Sequence, residues 1–207
     1  MKIQTGRFIR SAVSKVDLLE DGYPQIAFVG RSNVGKSSLL NRLLGRRSLA
    51  RISSKPGRTQ AVNYFLINSS FYFVDLPGFG YAKVSKKARR EWAELMDHYF
   101  NCVPERTQVV QLVDAKVGAT PLDCEAADYF HSLSLPTTVV ATKIDKVPRS
   151  KRGRQLKSIR SQLQMADEAA LVPFSAVKGD GVSELWREVQ GLLQLPSAPS
   201  HASRGVS

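Results

Sequence analysis

Apolar positions in this chain fall into short unbroken runs, separated by stretches where they recur every three or four residues. Unbroken runs bounded by turn residues predict strands buried on both faces; the longer spacing predicts helices with one apolar side. The first run, 25–29, ends at Gly30. A helical pattern follows, with Leu39, Leu40, Leu43 and Leu44 on one side and Gly45 placed to cap it. Two β-rich runs, 61–67 and 71–74, flank Asn68-Ser69-Ser70 and read as a hairpin. Further strands are expected at 107–115, 137–142 and 170–175. Helices are expected from about 85 to 100, from Thr120-Pro121 to 132, from the basic stretch 146–160 to about 166, and over 182–193. Residues 1–24 hold Phe8, Ile9, Val13, Val16, Leu18 and Leu19 without a steady period, and read as a short element leading into Pro24. Strands alternating with helices predict an α/β fold in three layers. The expected sheet is mainly parallel and six-stranded, with one antiparallel edge strand from the hairpin and helices on both faces. One domain spans 23–195, after an N-terminal extension (1–22) and before a Ser-, Pro- and Ala-rich tail (196–207) expected to be disordered.

The strand ends carry the chemistry. Gly30, Arg31, Ser32, Asn33, Val34, Gly35, Lys36 and Ser37 fit G-x-x-x-x-G-K-[ST] between a strand and a helix, the setting of a phosphate loop. Backbone N–H groups and the helix amino end would face phosphate oxygens, Lys36 would reach the outer phosphates, and Ser37 would bind Mg²⁺. Asp75-Leu76-Pro77-Gly78 ends the second hairpin strand; Asp75 would hold the Mg²⁺ shell and the Gly78 N–H would touch a γ-phosphate. Thr142-Lys143-Ile144-Asp145 ends another strand. A carboxylate at Asp145 accepts from N1–H and N2–H₂ of guanine, a pair that adenine lacks. The Lys143 stem would lie across the ring. Ser175-Ala176, after Phe174, would support the base through backbone amides. Thr59 lies in a long loop, 46–60, where its hydroxyl would join Mg²⁺ and its N–H the γ-phosphate, or where it would merely cap a strand. In open α/β sheets ligands sit at the carboxyl ends of the strands, where all but the loop at Thr59 converge.

The order GRSNVGKS, PGRTQ, DLPG, TKID and FSAVKGDG resembles a translation-factor-class GTPase with five G motifs, hence a P-loop NTPase G domain. More narrowly, Lys55 to Gln60 and Val74 to Ala82 resemble the EngB (YihA/YsxC) family of bacterial ribosome-assembly GTPases, over about 20–195. The resemblance implies GTP and GDP as ligands, with Gly57, Arg58, Thr59 and Gln60 as a switch segment. It further implies late assembly of the large ribosomal subunit and a link to cell division and septation. Lys36, Thr59 and Asn33 are the candidates for hydrolysis. Asn33 has two readings: a side-chain oxygen that holds K⁺ beside the phosphates, as in related GTPases, or a simple turn-former. Phe79 follows Gly78, where Ras-like enzymes place a water-orienting Gln, so slow intrinsic turnover is expected. Two positions depart from the family: Phe79 for Tyr, and Thr142 for Asn, the latter expected to loosen nucleotide grip.

Composition narrows the partners. A formal charge of +12 exceeds what one nucleotide site needs, and suggests a polyanion such as ribosomal RNA. Its basic runs are 46–58, 83–90 and 146–160. No apolar run approaches the ~18 residues of a membrane span, and no signal peptide is apparent, so a cytoplasmic location is expected; the chain is expected to be a monomer. Cys102 and Cys124 lack metal-type spacing; they read as two reduced thiols, with a disulfide the alternative. A P-loop kinase would need an acceptor site and a lid, and neither is evident. A septation scaffold with incidental hydrolysis is the other rival.

Overall fold

The computed structural model describes residues 3–45, 61–79, 86–102 and 107–193. Their order is β1 (Gly6–Ala12), β2 (Gln25–Gly30), α1 (Lys36–Leu43), β3 (Val62–Ile67), β4 (Phe71–Asp75), α2 (Lys86–Cys102), β5 (Thr107–Asp114), α3 (Pro121–Ser132), β6 (Thr137–Thr142), α4 (Arg149–Gln162), β7 (Leu171–Pro173) and α5 (Val182–Leu193). Single 3-10 turns cover Lys15–Asp17 and Ile144–Lys146. The expected loop residues Gly57, Arg58, Thr59 and Gln60, the run 46–58, residues 83–85 of the run 83–90 and the tail 196–207 lie outside the described residues.

The strands form one sheet in the order β1-β3-β4-β2-β5-β6-β7. β2 pairs parallel with β4 and β5, β5 with β6, and β6 with β7. The α/β class is as expected, but the sheet has seven strands where six were expected. The added strand, β1, lies inside the segment read as the N-terminal extension and pairs antiparallel with β3. The expected antiparallel edge strand, β3, is therefore internal, with β1 outside it. The register shifts between Phe8 and Arg10, so one extra residue bulges and the period-two alternation breaks. That bulge hid β1 from the hydrophobic pattern.

Successive side chains of a strand point to opposite faces, and β2 divides accordingly. Ile26 and Phe28 join Leu39, Leu40 and Leu43 of α1 and Leu185, Trp186 and Val189 of α5. Ala27 and Val29 join Leu95, Met96 and Tyr99 of α2 and Phe130 of α3 on the other face. Ile159 and Leu163 cover Val139 and Ala141 of β6 beside them. The Phe73 ring stacks on Trp186 at 5.6 Å, fixing α5 against β4. With both faces covered, the carboxyl ends of five parallel strands, β2, β4, β5, β6 and β7, share one rim. Among the described residues no helix is long and apolar enough to cross a membrane.

Candidate nucleotide-binding site

The loop after β2 must turn sharply before α1 begins at Lys36. Gly35 caps that helix at φ 109°, a left-handed conformation that costs a side-chain-bearing residue energy. Asn33 also has positive φ, 64°, which accounts for asparagine there on turn chemistry. The loop is stitched to the segment after β4. The Ser32 amide donates to the Phe79 carbonyl at 3.1 Å, and the Phe79 amide donates to the Gly30 carbonyl at 3.3 Å. A Cβ on Gly78 would sit 3.2 Å from the Ser32 nitrogen, so this close approach depends on glycine. The Lys36 ammonium forms an ion pair with Asp75, which is buried at the end of β4. Phosphate-loop cation and β4 carboxylate thus meet directly, although 39 positions separate them. Ser37 is half-buried in the first turn of α1.

β6 brings the base motif to the same place. The Thr142 hydroxyl lies 2.6 Å from the Val34 carbonyl and 3.1 Å from that of Val113. One hydroxyl proton shared between these acceptors ties β6 to the phosphate loop and to β5. Threonine at this position therefore has a structural role, tying β6 to the loop after β2. Lys143 has φ 55°, and its ammonium donates to the Asn33 carbonyl at 2.8 Å and to Asp114 at 2.7 Å. Its stem consequently runs from the base motif toward the phosphate loop. The Ser175 hydroxyl donates to Asp145 at 2.7 Å while accepting from the Lys178 amide at 3.0 Å. That relay orients the Asp145 carboxylate. The Ser175 amide donates to the Asp180 carbonyl, so the backbone support expected from Ser175 is used within its own loop. Phe174 is buried, with its carbonyl accepting from the Ile144 amide at 3.1 Å, and Ala176 packs on the core at its margin. Leu76 is buried, and its amide donates to the Phe28 carbonyl; Pro77 follows toward Gly78.

Two participants escaped the sequence reading. Asp114 ends β5 as Asp75 ends β4, and it holds Lys143. A charged residue closing an apolar run was the available signal. Arg31 of the phosphate loop pairs at 3.0 Å with Asp123 of α3. The same Asp123 oxygen accepts from the Thr120 amide at 2.8 Å and the Thr120 hydroxyl at 2.7 Å. Asp123 reads in sequence only as a helix-cap partner of Thr120.

The chain is similar to known proteins. The 50S ribosome-binding GTPase family matches over residues 25–143. A probable GTP-binding protein EngB of Oceanobacillus iheyensis is 45% identical over 186 residues, 90% of this chain and 95% of the relative. Its counterpart in Pelotomaculum thermopropionicum is 46% identical over 185 residues, 89% of this chain and 93% of the relative. The chain belongs to the EngB family of GTP-binding proteins. A crystal structure of a probable GTP-binding protein EngB superposes with a TM-score of 0.69 at 25% identity, covering 82% of this chain and 98% of that one. Era in complex with MgGDPNP and nucleotides 1506–1542 of 16S ribosomal RNA superposes with a TM-score of 0.63 at 26% identity, covering 89% of this chain and 61% of that one. In this EngB-family chain the phosphate loop, the Asp75 segment, the base motif and the Ser175 loop therefore occupy one rim of a G-domain sheet.

Proposed function

We propose that the chain is a GTP-dependent switch that hydrolyses GTP to GDP and phosphate and assists late assembly of the large ribosomal subunit in the cytoplasm. The observation that carries this reading is the direct tie between base motif and phosphate loop, through Thr142 to Val34 and Lys143 to Asn33. It sets the Asp145 carboxylate and Lys36 on one rim, where they would hold a nucleotide's base and phosphates together. Asp145, steadied by Ser175, would select guanine. Lys36 and the loop amides would hold the phosphates.

The donor set suits Mg²⁺, which takes hard oxygen ligands: a hydroxyl at Ser37 and a carboxylate at Asp75. Ser37, Asp75 and Thr59 would hold the ion, which when bound neutralises charge on the β- and γ-phosphate oxygens. Asp75 already offsets the Lys36 charge in the buried site, so the pair keeps its charge balanced. Gly78 and Thr59 would report the γ-phosphate. Phe79 packs against the core and carries no group able to orient water, which supports slow intrinsic turnover. K⁺ at Asn33 would supply charge in the transition state; equal rates in KCl and NaCl would remove that role.

The partner reading rests on charge. α4 carries Arg149, Lys151, Arg152, Arg154, Lys157 and Arg160 and no acidic residue. Arg152 and Arg160 bond backbone carbonyls, while Arg149, Lys151, Arg154 and Lys157 are exposed. Basic residues in the first turn oppose the helix dipole, a cost that an anionic partner would offset. The GTP form would dock on ribosomal RNA as a monomer, and hydrolysis would release it. Co-sedimentation with large-subunit particles tests this. Binding with a non-hydrolysable GTP analogue, loss with GDP and a steep fall with salt are expected. Phe79 favours a second reading, a nucleotide-gated scaffold in septation with incidental hydrolysis. Absence of both particle binding and particle-stimulated GTPase activity would favour it.

A further inference from the structure

At the amino end of β2, on the rim opposite the phosphate loop, three potential metal ligands come together. Glu20 precedes β2, and His98 and Cys102 lie four residues apart near the end of α2. One ligand atom from each lies within 4.8 Å of the others. We propose that Glu20, His98 and Cys102 form a zinc site that ties the segment before β2 to the last turn of α2.

The spacing of His98 and Cys102 matches zinc chemistry. Residues four apart are neighbours on one helix face, so His98 and Cys102 present their ligand atoms together. The Cys102 Sγ and His98 Nε2 are 3.7 Å apart. Zinc bonds of about 2.3 Å to sulfur and about 2.0–2.1 Å to nitrogen, at a tetrahedral angle, require a separation of roughly 3.6 Å. Thiolate and imidazole select zinc over Mg²⁺, which prefers oxygen, and the site is thereby chemically distinct from Ser37 and Asp75. Three protein ligands leave one position for water.

The carboxylate arm is braced from beneath. Gln25 donates to the Leu19 carbonyl at 3.3 Å, and the Tyr99 hydroxyl donates to Gln25 at 2.9 Å. The Leu19 amide donates to the Tyr64 hydroxyl at 3.5 Å. Leu19 is therefore fixed to β2, β3 and α2 immediately before Glu20. An Sγ–imidazole contact within an exposed helix end is the plain alternative, and zinc distinguishes the two because it also recruits Glu20.

Chelator-treated full-length protein should be titrated with zinc chloride by calorimetry, and with cobalt chloride by absorption spectroscopy. One zinc per chain is expected. Cobalt should give tetrahedral visible bands and a thiolate-to-cobalt charge-transfer band. Glu20→Gln, His98→Ala and Cys102→Ser should each weaken zinc binding at least about 10-fold. Cys102→Ser should abolish the charge-transfer band, and Cys124→Ser should leave it intact. Zinc should raise the melting temperature of the parent but not of Cys102→Ser. Circular dichroism identifies any variant that fails to fold. Cobalt bound at an all-oxygen magnesium site gives no thiolate band, so saturating Mg²⁺ and GDP should leave the signal unchanged. A parent spectrum without thiolate charge transfer, or a band that survives Cys102→Ser, would overturn the proposal.

Discussion

Replacing Asp123 tests whether α3 helps to hold the phosphate loop. Its side chain is fully buried and accepts three hydrogen bonds at Oδ2, from Arg31 and twice from Thr120. Its Oδ1 has no hydrogen-bond partner among the described residues. Asp123→Ala removes the cap partnership with Thr120, about 1 kcal/mol, and a hydrogen bond to a guanidinium, about 1.5–3 kcal/mol. Releasing an unsatisfied oxygen recovers part of that, so a net loss of about 2–3 kcal/mol is expected. At about 2–4 °C per kcal/mol for a chain of this size, the melting temperature should fall by roughly 4–12 °C. Asp123→Asn keeps an oxygen for Thr120 and Arg31. It should cost no more than about 1 kcal/mol, chiefly through the lost charge opposite Arg31. A double-mutant cycle with Arg31→Gln should give a coupling energy of about 1–2 kcal/mol. GDP affinity, read with a fluorescent analogue, should weaken by about 5- to 30-fold in Asp123→Ala, equivalent to about 1–2 kcal/mol. Coupling below about 0.3 kcal/mol, or unchanged GDP affinity in a folded variant, would refute the link.

Ser175→Ala should lower guanine-nucleotide affinity about 5-fold by freeing the Asp145 carboxylate, corresponding to about 1 kcal/mol in a calorimetric titration. Gly78→Ala should destabilise the chain by about 1–3 kcal/mol in urea unfolding, because its Cβ would press on the Ser32 nitrogen and the Gly30 carbonyl oxygen. Stability should also fall at alkaline pH. Burial raises Tyr64 and Tyr72 to about 12, with the Asp21 carboxylate opposite Tyr72 adding to it, and burial pushes Tyr99 well above 10. These phenols keep their protons longer in the folded chain than in the unfolded one. Their contribution is therefore complete below about pH 10 and is lost as pH rises toward about 12. Urea midpoints across that window should decline, with a smaller decline in Tyr72→Phe.

Local chemistry explains what could be read before folding. The phosphate loop needs glycines, a lysine and a serine within eight positions, so its pattern survives in one dimension. Buried parallel strands appear as apolar runs, which placed Asp75, Asp145 and Ser175 at strand ends. β1 was hidden because its bulge breaks the alternation that marks a strand. The Arg31–Asp123 pair spans 92 positions and Lys143–Asp114 spans 29, and neither has a local signature. The Glu20, His98 and Cys102 cluster likewise depends on folding the segment before β2 onto α2.

Thr142 ties two parts of the candidate site together. Its hydroxyl binds two backbone carbonyls, one in the phosphate loop and one in β5. Thr142→Asn is therefore a more informative substitution than Thr142→Ala, since it asks whether an amide can make the same ties.

Calorimetric titration of the full-length chain with GDP and with ADP, each with Mg²⁺, tests the central claim most directly. One GDP per chain, negligible heat with ADP, and a shift of preference toward xanthine nucleotide in Asp145→Asn are predicted. Absence of GDP binding by folded protein, or equal affinity for GDP and ADP, would contradict the account.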